Sequence, residues 1–517
     1  MLKSAENAFL AVLNAAIPNV ASQMEPRYLE EPRGMMRGKG GVLARPCTVG
    51  EISDIIKLCV DHHVAVVPYG GGTGLVGGQV VSGNSAPLVL SLERMNAVRS
   101  VDPIGNTITV EAGMTLAAVQ EAADAVERMF PLSLASEGSC LIGGNLATNA
   151  GGVQVLRYGN MRDLCVGIEA VMPDGSIHHG LKRLRKDNTG YDLRNLLIGS
   201  EGTLGVITAA VLKLVQKPTE LTTCFAIVDS PSAATELLAR LQFDLDGMVS
   251  AFELMNGVGF DFLHETMPEV RTPFDGEADW MVLVEVGSGA HANMETRMGA
   301  VLEIALNDGL IKDVLLAQSA SQRDDFWKVR ETIPAANNLI GAISSHDISI
   351  PQDRIVAFIK EGQAAIEQFG SVRLNCFGHL GDGNLHYNVF PPKGESKADW
   401  IHLKDDVKAV IHDLVHTYDG SISAEHGIGR LKSTDLQKYG DPTKLASMAA
   451  IKNALFVDNA YYLLMFFRNA FTEVAQNLFS LFSQRAFPNR ITMSNAKKSA
   501  KLLPFNHIST KHLCMVG

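Results

Sequence analysis

Glycine dominates one short segment near the start of the chain, PYGGGTGLVGGQ at residues 68–79, where six of the nine residues from 70 to 78 are glycine. Such a run does not favour a regular helix or strand. It follows VAVVP, an apolar run that predicts a buried strand, so the chain passes from a sheet directly into this loop. Successive backbone N–H groups in the loop can form a nest that binds phosphate oxygens. A flexible surface loop has the same composition, and composition alone does not separate the two interpretations.

The loop also contains the spacing of a dinucleotide-binding fingerprint, Gly72-x-Gly74-x-x-Gly77, but its context argues against that motif. The fingerprint needs a helix that opens at the third glycine and directs its N-terminus at the pyrophosphate. Here the chain continues as GQVVSGNSAP, without a helical pattern and without the lysine of a P-loop. A second segment, IGGNLATNAGG, adds small residues and amide side chains about seventy positions later. Together the two segments predict a long, narrow cofactor slot.

Length, charge and cysteine usage limit the class of protein. A chain of 517 residues is too long for one hydrophobic core and predicts two or three domains. The net charge of −11 argues against a nucleic-acid partner, because such binding depends on a basic surface. Seven scattered cysteines without a CxxC pair favour a reducing compartment. The N-terminus predicts an amphipathic helix rather than a signal peptide, and no stretch is long enough to span a bilayer, so we expect a cytoplasmic enzyme.

Apolar patterning predicts two halves that each mix helices and strands, which is an α+β fold class. In the first half, Thr48 and Glu51 have capping-box spacing before a helix, and Asp174-Gly175 marks a hairpin. The segment GSCLIGGNLATNAGG is too rich in glycine, asparagine and threonine to predict a regular element. Residues 217–219 predict a linker. Beyond them, a β-α-β unit and a β-α-β-β unit predict a lid-like domain whose sheet carries helices on one face.

Two histidines, His379 and His386, flank a Gly-Asp-Gly turn in FGHLGDGNLHYNV, residues 377–389. The dipeptide Asp382-Gly383 predicts a two-residue hairpin loop, and counting outward from it places His379 directly opposite His386. Facing residues of an antiparallel pair share one face of the sheet, with Cβ atoms about 4.5–5.5 Å apart. The spacing permits a metal pair, and it also permits an ordinary polar cross-strand pair.

Five motifs between about residue 40 and residue 455 resemble the FAD-linked dehydrogenases of the vanillyl-alcohol oxidase/p-cresol methylhydroxylase (PCMH) superfamily: PYGGGTGLVGG, IGGNLATNAGGVQVLRYG, LIGSEGTLGVIT, GHLGDGNLHYNV and SAEHGIGR. They are most similar to the branch with D-lactate dehydrogenase, D-2-hydroxyglutarate dehydrogenase and the flavin subunit of glycolate oxidase. This resemblance implies a PCMH-type FAD-binding domain of two α+β subdomains and a substrate-binding cap domain with an antiparallel sheet covered by helices. The implied division is an N-terminal helical segment 1–37, an FAD-binding domain 38–217, a cap domain 218–420, a return segment to the active site 421–455 and an atypical tail 456–517.

The resemblance also implies the cofactor and its neighbours. FAD would lie between the two subdomains, with its pyrophosphate on the first glycine loop. Thr73 stands where members that bind flavin covalently often have a histidine, so non-covalent FAD is expected. The implied FAD neighbours are Pro68, Gly70, Gly71, Gly72, Thr73, Gly74, Leu75, Gly78, Gly143, Gly144, Asn145, Thr148, Gly151, Gly152, Glu201, Gly202 and Ile207.

A divalent metal is implied by the same resemblance, because His379, His386 and Glu425 match the positions that bind zinc or a similar ion in the metal-dependent members. The branch oxidises the α-carbon of a D-2-hydroxy acid, such as lactate or 2-hydroxyglutarate, by hydride transfer to flavin N5. An ion held by two imidazoles and one carboxylate keeps positions open for the substrate's oxygens and makes its hydroxyl proton easier to lose. Glu425 and the next residue, His426, would point to opposite sides if the chain is extended there.

Three further residues match catalytic positions of the branch: His426 as the proposed base, Arg330 as the partner of the substrate carboxylate and Asn388 as a further substrate contact. Without the resemblance, His426 also fits a surface loop and Arg330 a charge on a helix surface. Electrons would pass to a quinone, a cytochrome or an electron-transfer flavoprotein. The alternatives are an oxidase that returns electrons to oxygen and a catalytically weak FAD subunit of a glycolate-oxidase-like complex. A homodimer is compatible with the resemblance.

Two departures from the family pattern affect this interpretation. Ser345 stands where hydroxyglutarate enzymes and some lactate enzymes have lysine, which puts a contact to a second substrate carboxylate in doubt. After AAIKNAL the family continues with Asp-Pro and an Asn-Pro-Gly segment, whereas this chain reads FVDNAYYLLMFFRNAF. From Phe456 onward there are seven basic residues against two acidic ones. A shifted reading frame or gene end, a helix peripheral to the inner membrane and a partner-docking helix are three interpretations of this tail.

Overall fold

Three main β-sheets and one two-stranded ribbon form the computed structural model, which describes residues 2–81, 85–274 and 278–456. From residue 457 onward, the predicted basic tail lies outside the described residues. No helix within the described ranges is long and apolar enough to cross a membrane.

The first sheet is built near the N-terminus and leads into the glycine-rich loop. Its elements in chain order are α1 Asn7–Ala16, β1 Ala21–Gln23, β2 Val42–Ala44, α2 Val49–His62, β3 Val66–Tyr69 and β4 Leu88–Ser91. The strand order is β1-β2-β4-β3, and the last three run parallel, with α2 as the crossover between β2 and β3. The predicted cap of α2 is confirmed, because Thr48 Oγ1 accepts the Glu51 N–H at 3.2 Å. The buried strand predicted from VAVVP is also confirmed, as β3.

The second sheet has five antiparallel strands in the order β5-β6-β10-β8-β9, and β7 pairs with β11 as a separate ribbon. These elements are β5 Val98–Asp102, β6 Thr107–Glu111, α3 Leu116–Asp124, β7 Arg128–Met129, α4 Ile142–Ala147, α5 Val155–Tyr158, α6 Met161–Leu164, β8 Cys165–Val171, β9 Ile177–Gly180, α7 Leu193–Leu197, β10 Val206–Lys213 and β11 Val215–Gln216. The predicted hairpin is confirmed as β8 and β9, and Gly175 in its turn has a φ of +81°.

The second glycine-rich segment departs from the prediction, because α4 forms inside a stretch that was expected to be irregular. Ile142 and Leu146 lie four residues apart on one face of α4, and both are fully buried in the core under the second sheet. Burial of these two side chains outweighs the poor helix propensity of the glycines between them.

The third sheet has seven strands, all antiparallel, in the order β15-β12-β14-β13-β17-β18-β16. Its elements, with the helices that follow it, are β12 Glu220–Val228, α8 Pro231–Asp244, β13 Val249–Asn256, α9 Gly257–Thr266, β14 Trp280–Ser288, α10 Met294–Asn307, β15 Ile311–Leu316, α11 Ala320–Ile340, β16 Asp347–Ser349, α12 Ile355–Ile366, β17 Arg373–His379, β18 Asn384–Phe390, α13 Lys397–Trp400, α14 Lys404–Thr417, α15 Ser433–Tyr439 and α16 Pro442–Leu455.

Helices cover both faces of this third sheet, so the expectation of one covered face is wrong. One core contains residues of α8, α10, α12 and α14 together with Ala226 and Leu254 of the sheet. The opposite core contains residues of α9 and α11 together with Phe225 and Met255. Because adjacent residues of a strand point to opposite faces, these neighbouring pairs show that the central strands are buried on both sides.

Candidate active site

The turn between β17 and β18 differs from the predicted hairpin loop. Residues Leu380–Asp382 form a 3₁₀ turn, and the register places His386 opposite Phe377 rather than opposite His379. His379 instead pairs with Glu253 on the neighbouring strand β13. Four residues, 380–383, connect the two strands instead of the predicted two, which the Asp-Gly dipeptide alone does not reveal.

The two histidines nevertheless meet on one face of the sheet, and Glu425 joins them from the loop that follows α14. The His379 and His386 rings have centroids 5.8 Å apart, and His379 Nε2 lies 3.4 Å from Glu425 Oε1. One ligand atom from each of the three residues lies within 4.8 Å of the others. His379 is buried, whereas His386 and Glu425 are partly exposed. Two imidazoles and a carboxylate at this spacing are a suitable ligand set for a divalent cation.

Asp347, the first residue of β16, anchors the loop that carries Glu425. Its Oδ2 accepts the backbone N–H groups of Glu425 at 3.0 Å and His426 at 2.9 Å, and its Oδ1 accepts the Asn384 side-chain amide at 3.0 Å. Although burial opposes ionisation, His426, Lys432 and His386 hold the pKa of Asp347 well below its ordinary value. The ionised carboxylate of Asp347, whose two oxygens both accept hydrogen bonds, therefore fixes the loop to strand β16.

Glu201, in the turn before β10, anchors the same loop from the opposite end. Its Oε1 accepts the Ile428 N–H at 2.8 Å and its Oε2 accepts the Gly429 N–H at 2.7 Å. Burial raises the pKa of Glu201, and the two backbone hydrogen bonds oppose that rise. Glu201 is one of the predicted FAD neighbours, and both of its carboxylate oxygens accept hydrogen bonds from this loop.

His426 turns toward Asp347 instead of pointing away from the Glu425 side chain. Its Nδ1 lies 3.4 Å from Asp347 Oδ2, and its ring stacks at 6.4 Å on that of His386. Asp347, Glu425 and His426 form a second group at ligand spacing. Because Asp347 Oδ2 already accepts two amides, the group with His379 and His386 is better suited to a cation. Burial lowers the pKa of both His386 and His426 to about 4, so both imidazoles are neutral at pH 7.

Glu253 lies behind His379 and was missed by the sequence analysis. It is fully buried, with Oε1 2.6 Å from His379 Nδ1 and Oε2 2.8 Å from Arg330 Nη2. Although burial opposes it, His379 and Arg330 hold the pKa of Glu253 at about 2. Burial also opposes the charge on His379, but Glu253 and Glu425 raise the pKa of that imidazole well above its ordinary value. A lone glutamate in the apolar run AFELM, far from His379 in sequence, gives no local signal of this contact.

Arg330 and Asn388 lie near the same cluster. Arg330 is 6% exposed, so it is not a charge on a helix surface. Its guanidinium stacks 4.9 Å from the Phe377 ring, and Glu253 occupies its Nε–Nη2 edge. Asn388 follows His386 by two residues on β18 and therefore lies on the same face. Its side-chain oxygen accepts the His346 N–H at 3.0 Å.

The two glycine-rich segments pack against each other. A Cβ on Gly71 would collide with the Ser139 carbonyl, and one on Gly70 would lie 3.3 Å from the Gly144 Cα. Only glycine permits this approach at position 71. Within α4, Asn145 is buried and Thr148 Oγ1 donates to the Gly144 carbonyl at 3.1 Å.

The other predicted FAD neighbours lie in three places. Pro68 is in β3, Ile207 is buried in β10, and Gly202 follows Glu201 in the turn before β10. Gly72, Thr73, Gly74, Leu75 and Gly78 are in the glycine loop after β3, and Gly143, Gly151 and Gly152 are in or just after α4.

Gly151, one of the predicted FAD neighbours, lies next to the histidine cluster. An ideal Cβ at Gly151 would lie 4.0 Å from Glu425 Oε1. The first glycine loop also contacts the return segment, because the Val76 carbonyl accepts the Arg430 N–H at 2.9 Å and the Leu431 N–H at 3.2 Å. Two segments that were predicted to line the FAD slot therefore contact the loop that carries the candidate metal ligand Glu425.

Comparisons with known proteins identify the family of this chain. Residues 41–180 match the FAD binding domain model, and residues 217–455 match the model for the C-terminal domain of FAD linked oxidases. The D-2-hydroxyglutarate dehydrogenase of Xanthomonas citri pv. viticola is 35% identical over 448 residues, covering 86% of this chain and 93% of that protein.

The chain belongs to the FAD-linked oxidase family. It is an FAD-dependent oxidoreductase, so the predicted enzyme class and family resemblance are confirmed. The mitochondrial D-2-hydroxyglutarate dehydrogenase of Arabidopsis thaliana is 33% identical over 81% of this chain and 73% of its own length.

Solved structures confirm the predicted fold class for this family member. Substrate-bound p-cresol methylhydroxylase superposes with a TM-score of 0.69 at 14% identity, covering 88% of this chain and 95% of that chain. An alkyldihydroxyacetonephosphate synthase superposes with a TM-score of 0.66 at 16% identity, covering 89% and 85%. At these identities the similarity shows the fold alone.

Proposed function

We propose that the protein oxidises a D-2-hydroxy acid to the 2-oxo acid, with FAD and a divalent cation in one pocket. The observation that carries this proposal is the convergence of His379, His386 and Glu425 next to Gly151 of the cofactor slot. Relatives named D-2-hydroxyglutarate dehydrogenases support a hydroxy-acid substrate. When bound, FAD supplies a hydride acceptor at N5.

His379, His386 and Glu425 would hold the cation. Held by these three side chains, it would leave coordination positions for the hydroxyl and carboxylate oxygens of the substrate and would lower the pKa of the hydroxyl. Zinc suits imidazole and carboxylate ligands, as do manganese, cobalt and iron. The partial exposure of His386 and Glu425 leaves this side of the cluster accessible to a small acid.

His426 would accept the hydroxyl proton. Its pKa of about 4 keeps the imidazole neutral at pH 7, which is the form that can take up a proton. Asp347 holds the backbone at residues 425 and 426 and faces His426 Nδ1, so it would orient the ring and stabilise the charge that proton transfer creates. This arrangement follows the logic of a base oriented by a carboxylate.

Arg330 would bind the substrate carboxylate through the edge that Glu253 leaves open. Glu253 takes Nε and Nη2 through a single oxygen, and Arg330 Nη1 has no hydrogen-bond partner among the described residues. The Nη1–Nη2 edge can then bind a carboxylate with two parallel hydrogen bonds. Asn388 would contribute a further polar contact from β18. Ser345 is exposed, so a second substrate carboxylate would need another partner.

Anaerobic reduction of the bound flavin tests this proposal. FAD-loaded protein should lose its flavin absorbance with D-lactate, D-2-hydroxyglutarate or a related D-acid, and not with the L-enantiomers. Exhaustive chelation should abolish the reduction, and added Zn²⁺ or Mn²⁺ should restore it. Full reduction after metal removal would refute the metal centre, and yellow protein that no 2-hydroxy acid reduces would favour a catalytically silent FAD subunit.

The electron acceptor needs a separate assay. Peroxide release during aerobic turnover with substrate would identify an oxidase. We propose that electrons pass instead to a quinone, a cytochrome or an electron-transfer flavoprotein, so turnover should need such an acceptor and release little peroxide.

A further inference from the structure

We propose that Glu253 is a positioning residue that sets the metal affinity of the site by fixing His379, while it also holds Arg330 in place. The inference rests on the proposed function, because it assigns a role toward the cation that His379, His386 and Glu425 would bind. Glu253 itself lies behind His379 and does not contact the open side of the cluster.

The hydrogen bond to Glu253 selects which nitrogen of His379 faces the cation. An ionised carboxylate only accepts hydrogen bonds, so the 2.6 Å contact requires a proton on His379 Nδ1. Because the raised pKa of His379 also keeps a proton on Nε2, a cation would bind there by displacing that proton, which exposes the lone pair of the atom that lies 3.4 Å from Glu425 Oε1. A carboxylate behind a ligating histidine also increases the basicity of the ligand nitrogen.

The second oxygen of Glu253 links this histidine to Arg330. Oε2 accepts from Arg330 Nε at 2.9 Å and Nη2 at 2.8 Å, so each oxygen has a charged partner. One carboxylate thereby fixes both a candidate metal ligand and the candidate partner of the substrate carboxylate. The distance between His379 and Arg330 would therefore depend on the position of the Glu253 side chain in strand β13.

The fold alone does not explain a charge at this position. Glu253 is fully buried, and its side chain points to the same face as Met255, which packs in the apolar core with α9 and α11. Replacing buried ion pairs with apolar residues of similar volume is often neutral or stabilising. A buried carboxylate that touches two candidate site residues therefore points to a role in the site.

Glu285 on β14 provides a matched control. It is also a buried glutamate of the third sheet, at 7% exposure, and its Oε2 accepts from Trp327 Nε1 of α11 at 2.8 Å and from Thr223 Oγ1 at 3.2 Å. No hydrogen bond joins Glu285 to His379, His386, Glu425 or Arg330 among the described residues. Glu285→Gln therefore repeats the chemical change of Glu253→Gln away from the cluster.

Zinc affinity, measured by competition with a chromogenic chelator on the full FAD-loaded chain, tests the proposal. E253Q should weaken Zn²⁺ binding about 10- to 100-fold, the usual effect of removing a partner of a ligating histidine. E285Q should stay within about twofold of the wild type, because no ligand loses a partner. Equal zinc affinities in E253Q and E285Q would overturn the proposed role of Glu253 but not the metal centre. A wild-type chain that binds no Zn²⁺ would overturn the metal centre and this inference with it.

E253Q leaves Arg330 buried without its counter-charge and could therefore fail to fold. A second variant tests the proposal in that case. The double variant E253Q/R330M removes both charges, and the methionine can pack on Phe377. It should retain FAD and a wild-type melting temperature but show the weakened zinc binding, whereas R330M alone should bind zinc within about threefold of the wild type. Wild-type zinc affinity in the folded double variant would overturn the proposal.

Discussion

Replacing Glu201 with glutamine should loosen the loop that carries Glu425 and His426. The two carboxylate oxygens accept the Ile428 N–H at 2.8 Å and the Gly429 N–H at 2.7 Å. Glutamine offers only one acceptor oxygen. Its side-chain NH₂ group would face the other backbone N–H, and two donors cannot form a hydrogen bond. Removing one charge-assisted hydrogen bond of this kind costs about 1.5–3 kcal/mol. Glu201 also has a left-handed φ of +52°, which a non-glycine residue adopts only where its surroundings enforce it.

A loss of about 2 kcal/mol corresponds to local opening that is about 30-fold more frequent. Hydrogen-exchange mass spectrometry on FAD-loaded protein should therefore show amides of peptide 421–432 exchanging about 30-fold faster in E201Q. kcat/KM for the hydroxy acid should fall in the same variant, because Glu425 and His426 lose their fixed position.

The control for this experiment is Glu169→Gln in the same half of the chain. Glu169 is also buried, and its Oε1 bonds Arg99 Nη2 at 3.1 Å and Thr208 Oγ1 at 2.9 Å, away from the loop. E169Q should leave exchange in 421–432 unchanged. Unchanged exchange in E201Q, combined with weaker FAD binding, would refute the anchoring role and return Glu201 to the cofactor slot.

Three further predictions follow from the contacts described. Burial lowers the pKa of His426 to about 4, so the imidazole can accept a proton at pH values above that. The rate of flavin reduction in pH-jump experiments should therefore begin to fall only below pH 6.5, as the pH approaches 4. An apparent pKa at or above 6.5 would contradict this. Arg330→Lys keeps a charge beside Glu253 but loses the planar edge, so it should raise KM for the hydroxy acid about tenfold or more with a smaller change in kcat, and an unchanged KM would remove Arg330 from the substrate site. Phe225→Ala opens a cavity among Phe260, Phe274 and Phe326, so chemical denaturation should show a loss of about 3–5 kcal/mol, and a loss under 1 kcal/mol would contradict the packing described.

Sequence patterns predicted which candidate site residues approach each other better than they predicted the local backbone geometry. The spacing around Asp382-Gly383 correctly suggested that His379 and His386 approach each other, yet the register was wrong by two residues, because His386 lies opposite Phe377. A dipeptide reports only the preferred φ of two residues, whereas the observed register also depends on the pairing of His379 with Glu253 across β13. That pairing joins residues 126 positions apart, so no local pattern encodes it.

Two errors in the predicted fold have a similar cause. Helix α4 forms in a glycine-rich segment because Ile142 and Leu146 find a core that local propensity does not include. The helices on both faces of the third sheet had a readable signal, since TTCFAIV in β12 is a nearly continuous buried run rather than an alternating one. Interpreting that run as a strand buried on both faces would have predicted helices on both faces of the third sheet.

Anomalous diffraction from crystals of the FAD-loaded protein soaked with Zn²⁺ tests the central claim most directly. We expect one strong zinc peak, coordinated by His379 Nε2, His386 and Glu425. It should lie next to Gly151, in the same pocket as the isoalloxazine ring. A zinc peak at Asp347 and His426 instead, or a flavin ring on the far side of the glycine segments from His379, would contradict it.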